Sequence, residues 1–271
     1  MIAKFRQLSD MGWATYTKLF TSCVAPVMDY GAGVWGYRSF PKPEAIQNRA
    51  MRFFMGVHRF APLPALSGDM AWEPCSVRWQ TAIFRLWNRL VKMDESRCCK
   101  RLFLYDHRTA EEGGWCAEAR EIMVRIDMLQ MFEELRPVDL RVAAVRLKQA
   151  DDELWMRAVH GKPKLRFYRT FKEERSPEPY LKVNLSRRER SFVAQLRCGI
   201  LPLHVETGRF RGLELADRTC PFCPGVIEDE CHFLFVCDAY AAERQTFLAG
   251  VGVENLTNTF KEHPRQLAKF V

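Results

Sequence analysis

The chain has 271 residues, of which 48% are hydrophobic and 27% charged, with a net charge of +8. This composition is typical of a globular protein and excludes an intrinsically disordered chain. No run approaches about 18 consecutive apolar residues, and the opening MIAKFRQLSDMG has no apolar signal core, so neither a membrane span nor secretion is expected. Ten cysteines without an export signal are more typical of thiols and metal ligands than of disulfides.

Apolar residues recur at helical spacing through the first third of the chain. A first helix is predicted from Tyr16 to Met28, with Cys23 on its apolar face and therefore in the core. A second helix is predicted after Pro41 and Pro43, and a third helix over residues 79–91.

The remaining elements are also predicted to be mainly helical. Two helices follow Gly113-Gly114, the second starting after Asp139, a good N-cap residue. Ser186 could cap a further helix that runs to about Cys198. A short hairpin around residues 218–227 is the exception, and a helix is expected after Cys237. The predicted fold class is therefore mainly α.

Positive charge is concentrated in one segment. Residues 157–197 contain twelve Lys or Arg and four Asp or Glu, so this segment alone accounts for the net charge of +8. A local basic block is a better indication of a polyanionic partner than a diffuse excess of charge.

Residues 220–237 read CPFCPGVIEDECHFLFVC. The two-residue spacing of Cys220 and Cys223 lets one turn point both sulfurs at one ion, and His232 and Cys237 lie about one helical turn apart. Together these residues offer a Cys3His tetrahedron, which suits zinc. Asp229 or Glu230 could cap the helix that carries His232.

Two alternatives remain at this cluster. Cys220-x2-Cys223 alone could be a redox pair, although no βαβ pattern surrounds it. Cys231 could replace His232 as the fourth ligand. A site with four protein ligands has no position left for an activated water, so a structural role is expected. Structural zinc can contribute about 10–16 kcal/mol of apparent binding free energy in isolated peptides.

Several segments resemble non-LTR (LINE-like) retrotransposon reverse transcriptases. LRCGILPLHVETGRF (196–210), DRTCPFC (217–223) and EDECHFLFVCDAY (228–240) resemble their zinc-binding C-terminal region. YTKLFTSCVAPVMDYGAGVWG (16–36), IQNRAMRFFMGV (46–57) and SGDMAWEP (67–74) resemble the helical region that follows the polymerase palm. Residues 110–185 match only loosely.

The resemblance implies three consecutive regions: a thumb-like helical region (1–112), a basic helical connector (113–199) and a zinc-knuckle module with a C-terminal helix (200–271). It implies one structural zinc, and a knuckle end that contacts nucleic acid. Cys220, Cys223, His232 and Cys237 match the family's ligands. Arg209 and Arg218 match basic positions that flank the knuckle.

The catalytic palm of that family is not visible in this sequence. Its two-metal chemistry needs clustered aspartates on strands, and QADDEL (149–154) is the only candidate. Asp151 and Asp152 lie inside a helical pattern without flanking apolar strands, so they are interpreted as a solvated helix face. No catalytic residue is predicted.

The first hypothesis is therefore a nucleic-acid-binding protein, nuclear or cytoplasmic, with RNA or DNA as its partner. Its phosphate contacts are predicted to come from ten basic residues: Lys162, Lys164, Arg166, Arg169, Lys172, Arg187, Arg188, Arg190, Arg209 and Arg218. Phe167, Tyr168 and Tyr180 could stack on bases, but burial in the core is the favoured interpretation for each.

Three other hypotheses remain open. An apolar patch in residues 1–40 could dock a protein partner. The chain could be a truncated or domesticated fragment of an element. It could also complete an active polymerase whose palm lies on another chain.

Overall fold

The computed structural model describes residues 11–109, 112–249 and 260–271. Within these ranges the chain is mainly helical and contains no extended strand, so the predicted fold class is confirmed. Thr219 and Ile227 form an isolated antiparallel bridge where a short hairpin was expected. In the same ranges, no helix combines the length and apolarity needed to cross a membrane.

The helices fall in the following order along the chain. They are α1 Trp13–Leu19, α2 Ala25–Met28, α3 Ala32–Trp35, α4 Pro41–Met55, α5 Leu63–Met70, α6 Cys75–Val91, α7 Cys98–Thr109, α8 Trp115–Arg125, α9 Leu129–Glu133, α10 Leu140–His160, α11 Pro179–Lys182, α12 Arg187–Arg197, α13 His204–Phe210, α14 Ala241–Phe247 and α15 Pro264–Phe270. Two π-helical turns, Phe20–Val24 and His232–Val236, interrupt the regular helices.

Two predicted helix caps are confirmed. The Asp139 carboxylate accepts the N–H groups of Arg141 at 2.8 Å and Val142 at 3.3 Å. Ser186 and Glu189 form a capping box at the start of α12. Local sequence signals of this kind depend on residues two or three positions apart, which is why they can be recognised without knowledge of the fold.

The π turn between α1 and α2 changes which side chains are buried. Pro26 has no N–H to donate to the carbonyl of Ser22, and a π turn inserts an extra residue relative to α-helical spacing. Cys23, within the turn, and Val27, beyond it, are both exposed. The prediction that Cys23 lies in the core is therefore wrong.

The contacts divide the chain into two compact units that are not continuous in sequence. Unit 1 takes its residues from Met1–Lys18, Asn48–Trp72 and Trp155–Val271, and unit 2 from Leu19–Gln47 and Glu73–Leu154. This division differs from the three consecutive regions expected from the sequence, 1–112, 113–199 and 200–271. Their assignment as functional regions stays a prediction.

Unit 2 contains a core of buried aromatic residues from α6, α7 and α9. Trp87 is fully buried and packs against Phe103 and Phe132, and its indole N–H donates to the carbonyl of Arg136 at 2.9 Å. The Asn88 side chain also exchanges two 2.7 Å hydrogen bonds with the backbone of Val138. These bonds fix the turn before α10 against α6.

Unit 1 is built around a fully buried ion pair between Arg197 and Asp69. The guanidinium donates to both carboxylate oxygens, at 2.7 and 2.8 Å. Asp69 also accepts the hydroxyls of Tyr168 and Tyr180, each at 2.9 Å. Burial and the Asp69 charge raise the pKa of both tyrosines, so both remain proton donors to the carboxylate.

A second carboxylate completes this buried cluster. Glu178 lies 3.1 Å from Arg197 and also pairs with Lys172, whose ammonium donates to the carbonyl of Ser176 at 2.7 Å. The backbone N–H of Glu178 donates to the carbonyl of Asp69 at 3.0 Å. Segments that are far apart in sequence are thus connected through charged hydrogen bonds, which are stronger than neutral ones.

We expect Asp69→Ala to destabilise the protein by about 3–5 kcal/mol, because it leaves the Arg197 guanidinium buried without its main partner. Urea denaturation followed by tryptophan fluorescence measures this change. The matched control is Lys148→Ala, which removes an exposed pair with Asp152 and should cost less than about 1 kcal/mol. Equal losses for the two variants would contradict the central role of the buried pair.

Candidate metal centre

Four side chains converge in unit 1 to form a possible metal site. One ligand atom from each of Cys220, Cys223, His232 and Cys237 lies within 4.8 Å of the other three. All four are buried or half-buried. The Cys3His set predicted from the sequence is therefore assembled by the fold.

The distances between the sulfur atoms fit a tetrahedral metal. Cys237 Sγ lies 3.7 Å from Cys220 Sγ and 3.8 Å from Cys223 Sγ. Two ligands at the Zn–S bond length of about 2.3 Å are about 3.8 Å apart at the tetrahedral angle. A disulfide would need about 2.05 Å, so these thiols are not bonded to each other. Because His232 and Cys237 join Cys220 and Cys223 in one group, the geometry favours a metal site over a redox pair of two thiols.

His232 provides an independent indication of a ligand. Its side chain is buried, and neither ring nitrogen has a hydrogen-bond partner among the described residues. A buried polar atom left unpaired costs about 1–3 kcal/mol, and such atoms are uncommon in folded proteins. A metal ion between the three sulfurs would bind one of these nitrogens.

The π turn brings His232 and Cys237 to the same ion. Five positions separate them, and in a regular α-helix the side chains that share a face are three or four positions apart. The N–H of Cys237 donates to the carbonyl of His232 at 2.8 Å, which is the i to i+5 bond of a π turn. The Asp229 carboxylate accepts the N–H of His232 at 2.8 Å and caps this turn, as expected for Asp229 or Glu230.

A tight loop holds the first two cysteines. Cys220 donates its N–H to the carbonyl of Val226 at 2.7 Å, and Val226 donates to the carbonyl of Cys223 at 3.3 Å. The N–H of Phe222 points at Cys220 Sγ at 3.4 Å. An N–H group directed at a sulfur stabilises its thiolate, which is the form that binds metal.

Helix α13 supports this loop from one side. The Glu228 carboxylate accepts the N–H of His204 at 2.6 Å, at the first residue of α13. The His204 ring bonds to the carbonyl of Thr219 at 2.6 Å. Arg218 donates to the carbonyls of Val205 and Leu213. The two residues that precede Cys220 are therefore fixed against the start of α13 and against the loop that follows this helix.

Residues 164–166, which follow α10, support the site from another side through two ion pairs. Arg166 lies 2.7 Å from the buried Glu230, and Lys164 lies 2.5 Å from the buried Glu206. Burial raises the pKa of Glu230, while Arg166 opposes that increase. Gly199 allows the close approach, because its φ is +63° and a Cβ there would lie 2.2 Å from the carbonyl oxygen of Lys164.

Burial above all raises the pKa of the Cys237 thiol to about 11. Burial therefore favours the neutral thiol. A divalent cation bound to the sulfur would favour the thiolate instead, because its charge stabilises the anion directly. Cys231 lies outside the four-residue group and is half-buried. Burial and the carboxylates of Asp229 and Glu230 raise its pKa to about 11, which keeps it a neutral thiol.

The structure places the predicted phosphate-contacting residues in different environments. Lys172 and Arg190 are buried: Lys172 pairs with Glu178, and Arg190 donates to the carbonyl of Phe54 at 2.9 Å. Lys164, Arg166 and Arg218 are half-buried. The first two form the ion pairs described above, and Arg218 donates to backbone carbonyls. Five of the ten residues are exposed: Lys162, Arg169, Arg187, Arg188 and Arg209.

The aromatic residues of the basic block are in the interior. Phe167, Tyr168 and Tyr180 are buried, as favoured in the sequence analysis. The partners missed from the sequence are the buried carboxylates Glu206 and Glu230. Spacing could not identify them, because Arg166 and Glu230, for example, are 64 residues apart.

Comparison of the chain with protein-family models, curated proteins and solved structures found no match.

We expect the purified chain to bind one Co²⁺ per molecule, with the absorbance of a tetrahedral thiolate site. His232→Ala and Cys237→Ser should each weaken binding strongly, because each removes one of four ligands. Cys231→Ser is the matched control, since it changes a neighbouring thiol outside the group. Titration with Co²⁺, followed by absorbance spectroscopy, measures the metal affinity of the three variants. Loss of binding in Cys231→Ser, with retention in His232→Ala, would contradict the assigned ligand set.

Proposed function

We propose that this chain is a non-catalytic nucleic-acid-binding protein whose C-terminal module is stabilised by one structural zinc. We further propose that it corresponds to the C-terminal part of a non-LTR retrotransposon reverse transcriptase and acts in the nucleus or cytoplasm. The observation that carries the proposal is the Cys3His group with its unpaired His232 ring. The same four residues match the zinc ligands of the family that the sequence resembles.

The choice of zinc follows from the ligands. Three thiolates and one imidazole at tetrahedral spacing suit Zn²⁺ better than Mg²⁺ or Ca²⁺, which prefer oxygen ligands. All four positions are taken by protein atoms, so the ion organises the loop and does not activate water.

The proposal that nucleic acid is the partner rests on the cations at the surface of unit 1. The side chains of Lys162, Arg169, Arg187, Arg188 and Arg209 are exposed. Phosphate contacts by such residues release counterions and make affinity depend on salt. Lys172 and Arg190 are left out of the proposed contacts, because both are buried with internal partners.

The proposal of a non-catalytic role has support from the aspartates. Asp151 and Asp152 lie within α10, a helix of 21 residues. Neighbouring positions on a helix point in different directions, which is a poor arrangement for holding two metal ions about 3.5–4 Å apart.

A protein-interaction role is the second candidate, and it rests on unit 2. Val27, Tyr30 and Val34 are exposed large side chains within eight positions. They fall in the patch predicted for residues 1–40, of which residues 1–10 lie outside the described residues.

We expect single-stranded RNA to bind with an affinity that falls steeply with salt. The double variant Arg169→Gln/Arg188→Gln should reduce the slope of log K against log salt by about 1.4, since each lost contact contributes about 0.7. Fluorescence anisotropy across a salt series measures the slope.

The matched control is Arg141→Gln/Lys148→Gln, which removes the same charge from exposed positions on α10. Its slope should remain that of the unaltered chain. An equal effect of both double variants would indicate a response to net charge and would contradict a site on unit 1.

A further inference from the structure

Two exposed phenylalanines of unit 1 each lie beside a guanidinium. Phe60 is 68% exposed and Phe210 is 74% exposed. The Arg59 guanidinium lies 4.6 Å from the centre of the Phe60 ring, and the Arg209 guanidinium lies 5.2 Å from that of Phe210. A single exposed apolar residue is ordinary. Two exposed rings with cations at stacking distance form a distinct pattern.

Both rings are carried on fixed backbone. Phe60 lies in a turn where its N–H donates to His58 Nδ1 at 3.1 Å and the N–H of Ala61 donates to the carbonyl of His58 at 3.1 Å. Phe210 is the last residue of α13, which the Arg218 side chain fixes at its C-terminal end. A ligand would therefore meet rings that are already positioned, which lowers the entropy cost of binding.

One ion pair of unit 1, Lys164 with Glu206, lies near the Phe210 ring and also acts on His58, two residues before Phe60. Glu206 holds the Lys164 ammonium at 2.5 Å and the Arg209 guanidinium at 3.0 Å, and Lys164 also lies 5.8 Å from the Phe210 ring. The charges of Lys164 and Glu206 also affect the pKa of His58. Burial lowers the pKa of His58 most, Lys164 lowers it further, and Glu206 opposes both.

The charge around the rings favours an anionic ligand. The cations shown beside the rings are Arg59 at Phe60, and Lys164 and Arg209 at Phe210. One buried carboxylate, Glu206, pairs with the last two of these cations. An apolar partner would gain binding free energy only by covering the two rings, and it would lose binding free energy by removing water from these cations. A polyanion with flat apolar groups satisfies both features of the surface.

We propose that Phe60 and Phe210, with Arg59 and Arg209, form a platform for single-stranded nucleic acid. Unpaired bases stack on the two rings, and the guanidinium groups neutralise the adjoining phosphates. Duplex bases already stack on each other and cannot offer their faces to the rings. This inference rests on the proposed function and adds the class of substrate and the residues that hold it.

The test compares Phe60→Ala, Phe210→Ala and their double variant with the unaltered chain. The probes are labelled single-stranded RNA and DNA of about 12 nucleotides, within the usual span of such sites, and a duplex of the same sequence. Each single variant should weaken single-strand binding about 5- to 100-fold, as expected for loss of one stacked base. The salt slope should not change, because no phosphate contact is removed.

Two further variants separate stacking from general effects. Phe210→Trp should retain single-strand affinity, since the indole also offers a flat face. Tyr30→Ala removes an 86% exposed aromatic side chain from unit 2 and should bind as the unaltered chain does. Circular dichroism checks that each variant keeps its helical content.

The outcomes distinguish this inference from the proposed function. If the unaltered chain binds neither single strands nor duplex, both proposals fail. If it binds with a steep salt slope but Phe60→Ala and Phe210→Ala bind equally well, only the platform is overturned. Equal loss of single-strand and duplex binding in the two alanine variants would also overturn it. The RNA and DNA arms identify which single strand is preferred.

Discussion

The buried ion pair between Arg197 and Asp69 is the interaction on which the rest of unit 1 depends. It joins the end of α12 to α5, and Tyr168 and Tyr180 complete the hydrogen bonds of the carboxylate. Two residues beyond Arg197, Gly199 turns the chain against the backbone of Lys164. The chain then enters α13 and the metal-binding loop, so the position of the candidate metal centre follows from a charge buried outside it.

This arrangement changes how the basic block should be interpreted. Its positive charge accounts for the net charge of the whole chain, yet much of it is used inside the protein. Arg197, Lys172 and Arg190 are buried, and Lys164 and Arg166 pair with the buried carboxylates Glu206 and Glu230. A basic segment therefore overstates the charge available to a partner when its counter-ions lie far away in sequence. Two arginines outside this block, Arg59 and Arg209, lie beside the exposed rings of Phe60 and Phe210.

What could be predicted from the sequence was local. The Cys3His group, the Ser186 cap and the Asp139 cap depend on short spacings within one segment, and all three are formed. The two π turns were not predicted, because nothing in a helical periodicity marks an inserted residue. One of them exposes Cys23, and the other is needed to bring His232 and Cys237 together. The partners of the buried cations could not be predicted either, since they depend on the tertiary fold.

We propose that unit 1 presents a metal-supported surface to single-stranded nucleic acid. The most direct test is ultraviolet cross-linking of the zinc-loaded chain to single-stranded RNA, with the attached peptides identified by mass spectrometry. We predict cross-links at Phe60 and Phe210 that disappear when the metal is removed by a chelator. Cross-links confined to unit 2, or unchanged by chelation, would contradict the account.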